Sequence, residues 1–305
     1  MGRNRAAAAV SHRPIWRAKG GRALTTPRPF GIFGIVNLTP DSFYDGGAHE
    51  GDAGLRHALQ LREQGADVLD LGAESTRPGA AAITPQEELR RLLPALAGLR
   101  RAAPAAVLSV DTWRASTAAA ALDMGAAIIN DVSACAWDPC LLDVLAQYRP
   151  GYVLMHSAGR PATMQAAPAY TDVRREVREF FERALKKLTQ AGLPEDRIAL
   201  DPGIGFGKTL EHNLTLLAHP EDWLSLGRPV LVGLSMKSLF GDLLGLPAPA
   251  RGTATLAATA LLRARGVFWH RLHDVAGAAQ ALAVAAALSP GAAPRFSLDK
   301  RRTKG

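Results

Sequence analysis

Short apolar runs alternate along the chain with longer stretches in which apolar positions recur every three to four residues. The runs are Ile32–Val36, Val68–Leu71, Val107–Val110, Ala127–Ile129, Tyr152–Met155, Ile198–Leu200, Val230–Leu234 and Val267–Leu272. They are rich in Val, Ile and Leu, and several show no alternation. Strands buried on both faces of a parallel sheet read this way. Helical periodicity fills the intervals, as in Gly54–Gln64, Pro85–Arg101, Thr112–Met124, Asp138–Gln147, Val173–Ala191, Glu211–Leu217 and Thr253–Arg265. Gly65, Gly125, Gly192 and Gly266 follow helices as C-terminal caps would. Eight strand–helix units predict an α/β fold, a single-domain (β/α)8 TIM barrel spanning residues 30–290. An open doubly wound sheet is the alternative.

Composition narrows the class. Of 305 residues, 48% are hydrophobic and 21% charged, which excludes a disordered, collagenous or coiled-coil chain. No apolar run approaches the ~20 residues of a membrane span. The net charge of +8 is concentrated at the ends. Residues 1–30 hold seven basic side chains and no acidic one, and Arg295, Lys300, Arg301, Arg302 and Lys304 face only Asp299. The body between is slightly acidic, so a nucleic-acid-binding surface is not expected there. The sequence divides into a flexible basic extension (1–29), the barrel (30–290) and a basic tail (291–305). Arg3 and Arg5 precede only a short Ala-rich stretch, which is not a secretory signal. Cys135 and Cys140 lack a second pair, so zinc is not expected; two reduced thiols fit a cytoplasmic protein.

Nearly every predicted strand ends in polar residues. Strand one ends at Asn37. Strand two leads into Glu74, Ser75, Thr76 and Arg77. The next three end at Asp111, at Asn130-Asp131 and at His156. Asp201 follows, then Ser235 and Lys237, then Arg271, His273 and Asp274. In a barrel these positions converge on one rim, where such folds place their chemistry. Asp111, Asn130, Asp201 and Lys237 form a mixed donor–acceptor set suited to the amide and amino edges of a flat heterocycle. Arg77, Arg271 and His273, with the Thr76 hydroxyl, suit phosphate or diphosphate. Together they point to a heteroaromatic substrate bearing an anionic leaving group. Pro78-Gly79 makes a turn able to present Arg77, and Phe43 and Pro78 add apolar surface. Gly203–Thr209 imitates a P-loop but is one residue short, with Pro202 in place of the first Gly. Gly233–Lys237 lacks the closing Gly of a nucleophile elbow. His156 is open to two readings: it faces the rim or simply ends a strand.

These stretches, in order, resemble dihydropteroate synthases, a pterin-binding TIM-barrel family. The segments are Asn37–Gly47, Glu74–Ala80, Ser109–Thr112, Ile128–Val132, Leu154–His156 with Thr163–Gln165, Asp201–Lys208, Val232–Ser238 and Arg271–Val275. The pair Asn-Leu-Thr-Pro-Asp-Ser-Phe and Glu-Ser-Thr-Arg-Pro-Gly-Ala is the most specific. The resemblance implies a transferase joining 6-hydroxymethyl-7,8-dihydropterin diphosphate to 4-aminobenzoate with Mg2+ assistance, in a cytoplasmic homodimer that sulfonamides target. It implies Asp111, Asn130, Asp201 and Lys237 on the pterin, and Arg271 stacked on the ring and touching diphosphate. Thr76, Arg77 and His273 would also meet the diphosphate, and Asn37 the Mg2+ or the anion. Phe43, Pro78, Phe206 and Ser238 would frame the aminobenzoate, and Asp45 would close the first loop. One departure stands out. The family's Ser-Arg-Lys-Ser is here Ser235-Met236-Lys237-Ser238. Met236 leaves a second reading, a pterin-binding paralogue with weak or no synthase activity. A corrinoid-linked methyltransferase is a third, but it leaves Arg77, Arg271 and His273 without a purpose.

Overall fold

A computed structural model of the chain describes residues 14–39, 50–75, 82–160, 163–165 and 168–289. Eight strands are present among them: β1 (Gly31–Asn37), β2 (Val68–Gly72), β3 (Val107–Asp111), β4 (Ile128–Asp131), β5 (Gly151–Met155), β6 (Ile198–Asp201), β7 (Leu231–Gly233) and β8 (Trp269–Leu272). All neighbours pair in parallel, in the order β6-β5-β4-β3-β2-β1-β8-β7. The ends of that order meet through a parallel bridge between Leu200 and Val230. The sheet therefore closes, which rules out the doubly wound alternative.

The helices are α1 (Glu50–Glu63), α2 (Pro85–Ala102), α3 (Ala115–Asp123), α4 (Leu141–Tyr148), α5 (Val173–Gln190), α6 (Leu210–Ala218), α7 (Glu221–Leu224), α8 (Leu239–Leu244), α9 (Gly252–Ala264) and α10 (Val275–Ala287). The four glycines expected as caps all take positive φ, from 98° to 109°. The short α7 and α8 and the whole of α10 were not expected from periodicity. α10 is almost entirely Ala, Val and Leu, so it has no polar stripe to reveal its period. Its start is fixed by Asp274, whose carboxylate accepts the Gly277 N–H at 2.8 Å.

Strand alternation sorts the core into two parts. Outward residues such as Ile32, Val36, Leu69 and Leu71 pack beneath the helices. Inward, each strand gives one apolar side chain to a common layer: Phe33, Val68, Val107, Ile128, Val153, Ala199, Leu231 and Trp269. This dry layer seals the barrel and leaves the polar residues stacked above it at the C-terminal mouth.

The N-terminal mouth is closed by residues assigned from the sequence to the basic extension, and that assignment is corrected for residues 14–29. Trp16 is buried against Phe33, stacked at 5.6 Å, and against Trp269, edge-on at 5.7 Å. Its indole N–H donates to the Arg197 carbonyl at 2.8 Å. Arg17 and Ala23 form an antiparallel bridge, and Leu24 is also buried. The basic side chains here are anchors. Arg28 pairs with Asp67 at 2.6 Å, Arg17 pairs with Asp196 at 3.0 Å, and Lys19 donates to the Leu122 carbonyl near the end of α3. Charge alone marked this segment as tail, whereas one tryptophan decides its place. Residues 1–13 and 290–305, which include the expected C-terminal tail, lie outside the described residues.

Candidate active site

The C-terminal ends of the strands carry the polar set. β3 ends at Asp111 and β8 holds Arg271, which donates from Nη2 to the Asp111 carboxylate at 2.8 Å. From Nε, Arg271 donates to Asp70 of β2 at 2.6 Å. Asn130 of β4 donates to the same Asp70 oxygen at 3.0 Å. One guanidinium thus spans two carboxylates from adjacent strands, and the amide of Asn130 abuts them. Burial pushes the Asp111 carboxyl up to about 7; Arg271 opposes this, and Asp70 adds like-charge repulsion. Burial also disfavours the Arg271 charge, but Asp70 and Asp111 outweigh it and raise its pKa.

β6 ends at Asp201, which is buried and accepts the Gly203 N–H at 2.8 Å. Burial raises its pKa, and Lys237 is the strongest opposing charge. Lys237 lies beyond β7, donates to the Ile204 carbonyl and sits 4.5 Å above the Phe206 ring. Burial draws its pKa down to about 8, with Asp201 opposing and Arg271 adding repulsion. Gly203 keeps the turn against β5: a Cβ there would lie 1.9 Å from the His156 carbonyl oxygen.

On the other side of the mouth, His273 Nδ1 is 2.8 Å from Ser235 Oγ, and its Nε2 is 3.3 Å from Asn37 Nδ2. With the Asn37 amide as donor, Nε2 accepts and the ring proton sits on Nδ1. The Asn37 side-chain oxygen has no hydrogen bond among the described residues. Ser238 is exposed at the start of α8, and its hydroxyl does not cap that helix.

The structure therefore brings Asn37, Asp111, Asn130, Asp201, Phe206, Lys237, Arg271 and His273 to one mouth, with Ser238 beside it. Phe43, Asp45, Thr76, Arg77 and Pro78 lie outside the described residues. The base of the loop that holds Thr76–Pro78 is described. Glu74 accepts the Ile83 N–H at 3.0 Å, and Arg114 donates to the Ile83 carbonyl at 2.7 Å and to both Glu74 and Glu88. Both ends of that loop are tied to one buried ion cluster.

Two residues escaped the sequence reading. Asp70 stands alone among Val68, Leu69 and Leu71, and that isolated charge in a buried strand was the available signal. Lys208 was set aside with the P-loop resemblance. Lys208 is 3% exposed, and its ammonium donates to the carbonyls of Gly203 at 2.9 Å and Phe206 at 3.1 Å and to His156 Nδ1 at 2.9 Å. That contact settles His156, which is buried, directly follows β5 and holds the lysine rather than facing the mouth. Burial and the Lys208 charge push its pKa down to about 3. Met236 lies beyond the strand. It does not alternate with Lys237 along a strand but occupies a left-handed turn, φ 59°, after β7. Thr255 Oγ1 accepts its N–H at 3.1 Å.

Residues 33–273 match the family described as Pterin binding enzyme. A dihydropteroate synthase of Neisseria meningitidis serogroup C is 44% identical over 279 residues, covering 88% of this chain and 96% of its own. The Xanthomonas albilineans dihydropteroate synthase with 4-aminobenzoic acid superposes with a TM-score of 0.82 at 44% identity, covering 89% of this chain and 97% of that one. The same enzyme in complex with 7,8-dihydropteroate gives a TM-score of 0.77 at 41% identity, with coverage of 88% and 97%. The chain belongs to the pterin-binding enzyme family, within the branch formed by the dihydropteroate synthases.

Proposed function

We propose that the chain condenses 6-hydroxymethyl-7,8-dihydropterin diphosphate with 4-aminobenzoate, giving 7,8-dihydropteroate and diphosphate. The observation that carries this is the Arg271 fork: a cation held against Asp70 and Asp111, within a mouth that also holds Asn130, Asp201 and Lys237 on one side and His273 and Asn37 on the other. Carboxylates and an amide accept from the ring N–H and amino groups of a pterin. The Arg271 face, partly exposed, meets the ring and the diphosphate beside it.

The bond from the exocyclic methylene carbon to oxygen breaks, and its electron pair leaves with the diphosphate. Positive charge then develops on the pterin, and Asp111 and Asp201 face it from a poorly solvated floor, where their attraction is strong. The aromatic amine adds its lone pair to that carbon and afterwards loses a proton. No enzyme nucleophile is needed and no covalent enzyme intermediate forms. Arg271 balances the charge gathering on the diphosphate, with His273 beside it, while Lys237 and Phe206 help position the reactants. Among the described residues no cluster of three His, Cys, Asp or Glu side chains is arranged to hold a metal ion. The Asn37 side-chain oxygen, which accepts no hydrogen bond from the described residues, still suits Mg2+, which takes few protein ligands and binds mainly through water and substrate phosphate. Bound there, Mg2+ would neutralise the leaving group.

A homodimer is part of the proposal. Leu261 on α9, Val284 on α10 and Leu288 just beyond it are 64%, 59% and 79% exposed, an apolar face that a second copy would cover. Sedimentation tests it. Cytoplasmic residence fits the two free cysteines, Cys135 and Cys140. The weak-paralogue reading gains nothing from Met236, whose backbone turn is held by Thr255 and leaves Lys237 over Phe206. Steady-state turnover with both substrates and Mg2+ tests the activity. Diphosphate and dihydropteroate should appear together only when both substrates are present. Pterin binding without product would overturn the synthase assignment.

A further inference from the structure

We infer that Asp70 is a positioning residue for the condensation, fixing Arg271 and Asn130 in the arrangement in which they meet the pterin. The inference rests on the proposed reading of the mouth. Asp70 is fully buried, with 0% exposure, in a strand whose other side chains are apolar. A carboxylate there is strongly unfavourable unless paired, so its presence is tied to its partners. The strand register places Asp70 opposite Ser109 and Gly72 opposite Asp111, which sets Asp70 one pleat below Asp111 on the same inner face. From that depth it does not reach the mouth. It acts through two groups that do.

The geometry shows how. Arg271 gives its Nε edge to Asp70 and its Nη2 to Asp111. Two attachment points on a planar guanidinium fix the plane, whereas one leaves it free to turn about the remaining bond. Asn130 is held by the same Asp70 oxygen, so one buried atom sets the spacing between the Arg271 plane and the Asn130 amide. The other oxygen, Oδ1, has no hydrogen-bond partner among the described residues. That asymmetry supplies a mild probe. In Asp70→Asn the amide oxygen can keep both existing contacts while the NH2 turns to the unpartnered side. The change keeps the shape but turns two bonds to a carboxylate into weaker bonds to a neutral amide, so the hold on Arg271 and Asn130 loosens without opening a cavity.

The experiment compares Asp70→Asn with the unaltered enzyme, after matching thermal unfolding midpoints. Pterin diphosphate KM should rise about tenfold or more, with aminobenzoate KM within about twofold. The acid limb of pterin binding, followed by calorimetry against pH, should also move to lower pH, because Asp111 loses a like charge and gains Arg271 to itself. A purely structural lesion would lower activity for both substrates and leave the limb in place. A pterin KM within twofold and an unmoved limb overturn the inference. If the variant fails to fold, the unaltered enzyme decides. The 15N-bonded Nε proton of Arg271 should stay protected from exchange as Asp111 titrates, since Asp70 holds it; its loss along with that titration overturns the inference. Calorimetry and exchange need no turnover, so an enzyme that binds pterin but makes no product would fail the synthase reading without touching this one.

Discussion

The Lys208 ammonium lies 2.9 Å from Nδ1 of His156, with the carbonyls of Gly203 and Phe206 completing its donors. A lysine buried this deeply is a pin. It joins the end of β5 to the turn that carries Phe206 beneath Lys237.

Replacing the pin with methionine keeps the stem and removes the donors. Lys208→Met should lose about 2–4 kcal/mol of stability at pH 7, because the Phe206 carbonyl and the His156 ring nitrogen lose their donor and the Gly203 carbonyl keeps only the Phe206 N–H. Its aminobenzoate KM should rise about tenfold as Phe206 drifts. The pH dependence carries a second signature. Burial, with repulsion from Lys237, draws Lys208 down to about 7, and burial draws Lys237 down to about 8. Unfolded lysines titrate near 10.4. From pH 7 to 9 the unfolded chain therefore holds more protons than the folded one, and stability should rise with pH. Urea unfolding at pH 7, 8 and 9 checks this. The rise should be smaller in Lys208→Met, and a fall in the unaltered protein would contradict the buried-ammonium reading.

Pterin affinity should follow a bell in pH. The rising limb belongs to Asp111, which must be ionised to accept from the ring and is held up to about 7 by burial. The falling limb belongs to Lys237, whose charge is lost above about 8. Calorimetric titration with a pterin ligand between pH 5.5 and 10 should give a maximum between these values. Lys237→Arg should remove the falling limb, since guanidinium stays charged, even where the plateau drops. Asp111→Ala and Lys237→Ala should each weaken pterin binding tenfold or more. Near-normal affinity in both would dismiss the floor as the pterin site.

The barrel was legible in the sequence because every strand is a short apolar run and four helices end in glycine. The mouth was legible because its residues sit at strand ends, where packing does not require charge. Asp70 and Lys208 were harder to see. Each lies among residues with another evident purpose, Asp70 inside an apolar strand and Lys208 in a glycine-rich turn, and only tertiary contact gives either a partner. Trp16 was hidden for a different reason. Seven basic groups in residues 1–30 drew attention to charge, and a lone tryptophan has no period. α10 shows the converse limit, since a helix of alanines is equally apolar at every angle.

Arg114 is the centre of a buried ion cluster. It donates to Glu74 at 3.0 Å and to Glu88 at 2.8 Å, and Thr117 donates to the same Glu88 oxygen at 2.7 Å. Removing one member strands the others, so Arg114→Met should cost about 3–5 kcal/mol. Glu88→Gln should cost less, because the amide still accepts from Thr117. The two changes together should fall short of their sum by about 1 kcal/mol or more, since the partners are one network. Denaturant unfolding of the four proteins measures this; strict additivity would mean that the cluster is not coupled.

Trp16 separates stability from activity. It fills the N-terminal end of the barrel, stacked on Phe33, while the proposed chemistry occupies the opposite end. Trp16→Ala leaves a cavity under the dry layer and frees the Arg197 carbonyl, and should cost about 3–5 kcal/mol. The loss should appear in the unfolding midpoint, with kcat and both KM values at 25 °C within about twofold of the unaltered enzyme, because the inner layer from Phe33 to Trp269 stands between the cavity and Arg271. A stability change under about 0.5 kcal/mol would place Trp16 in solvent. A matched fall in kcat without loss of stability would mean that the floor transmits its packing to the mouth.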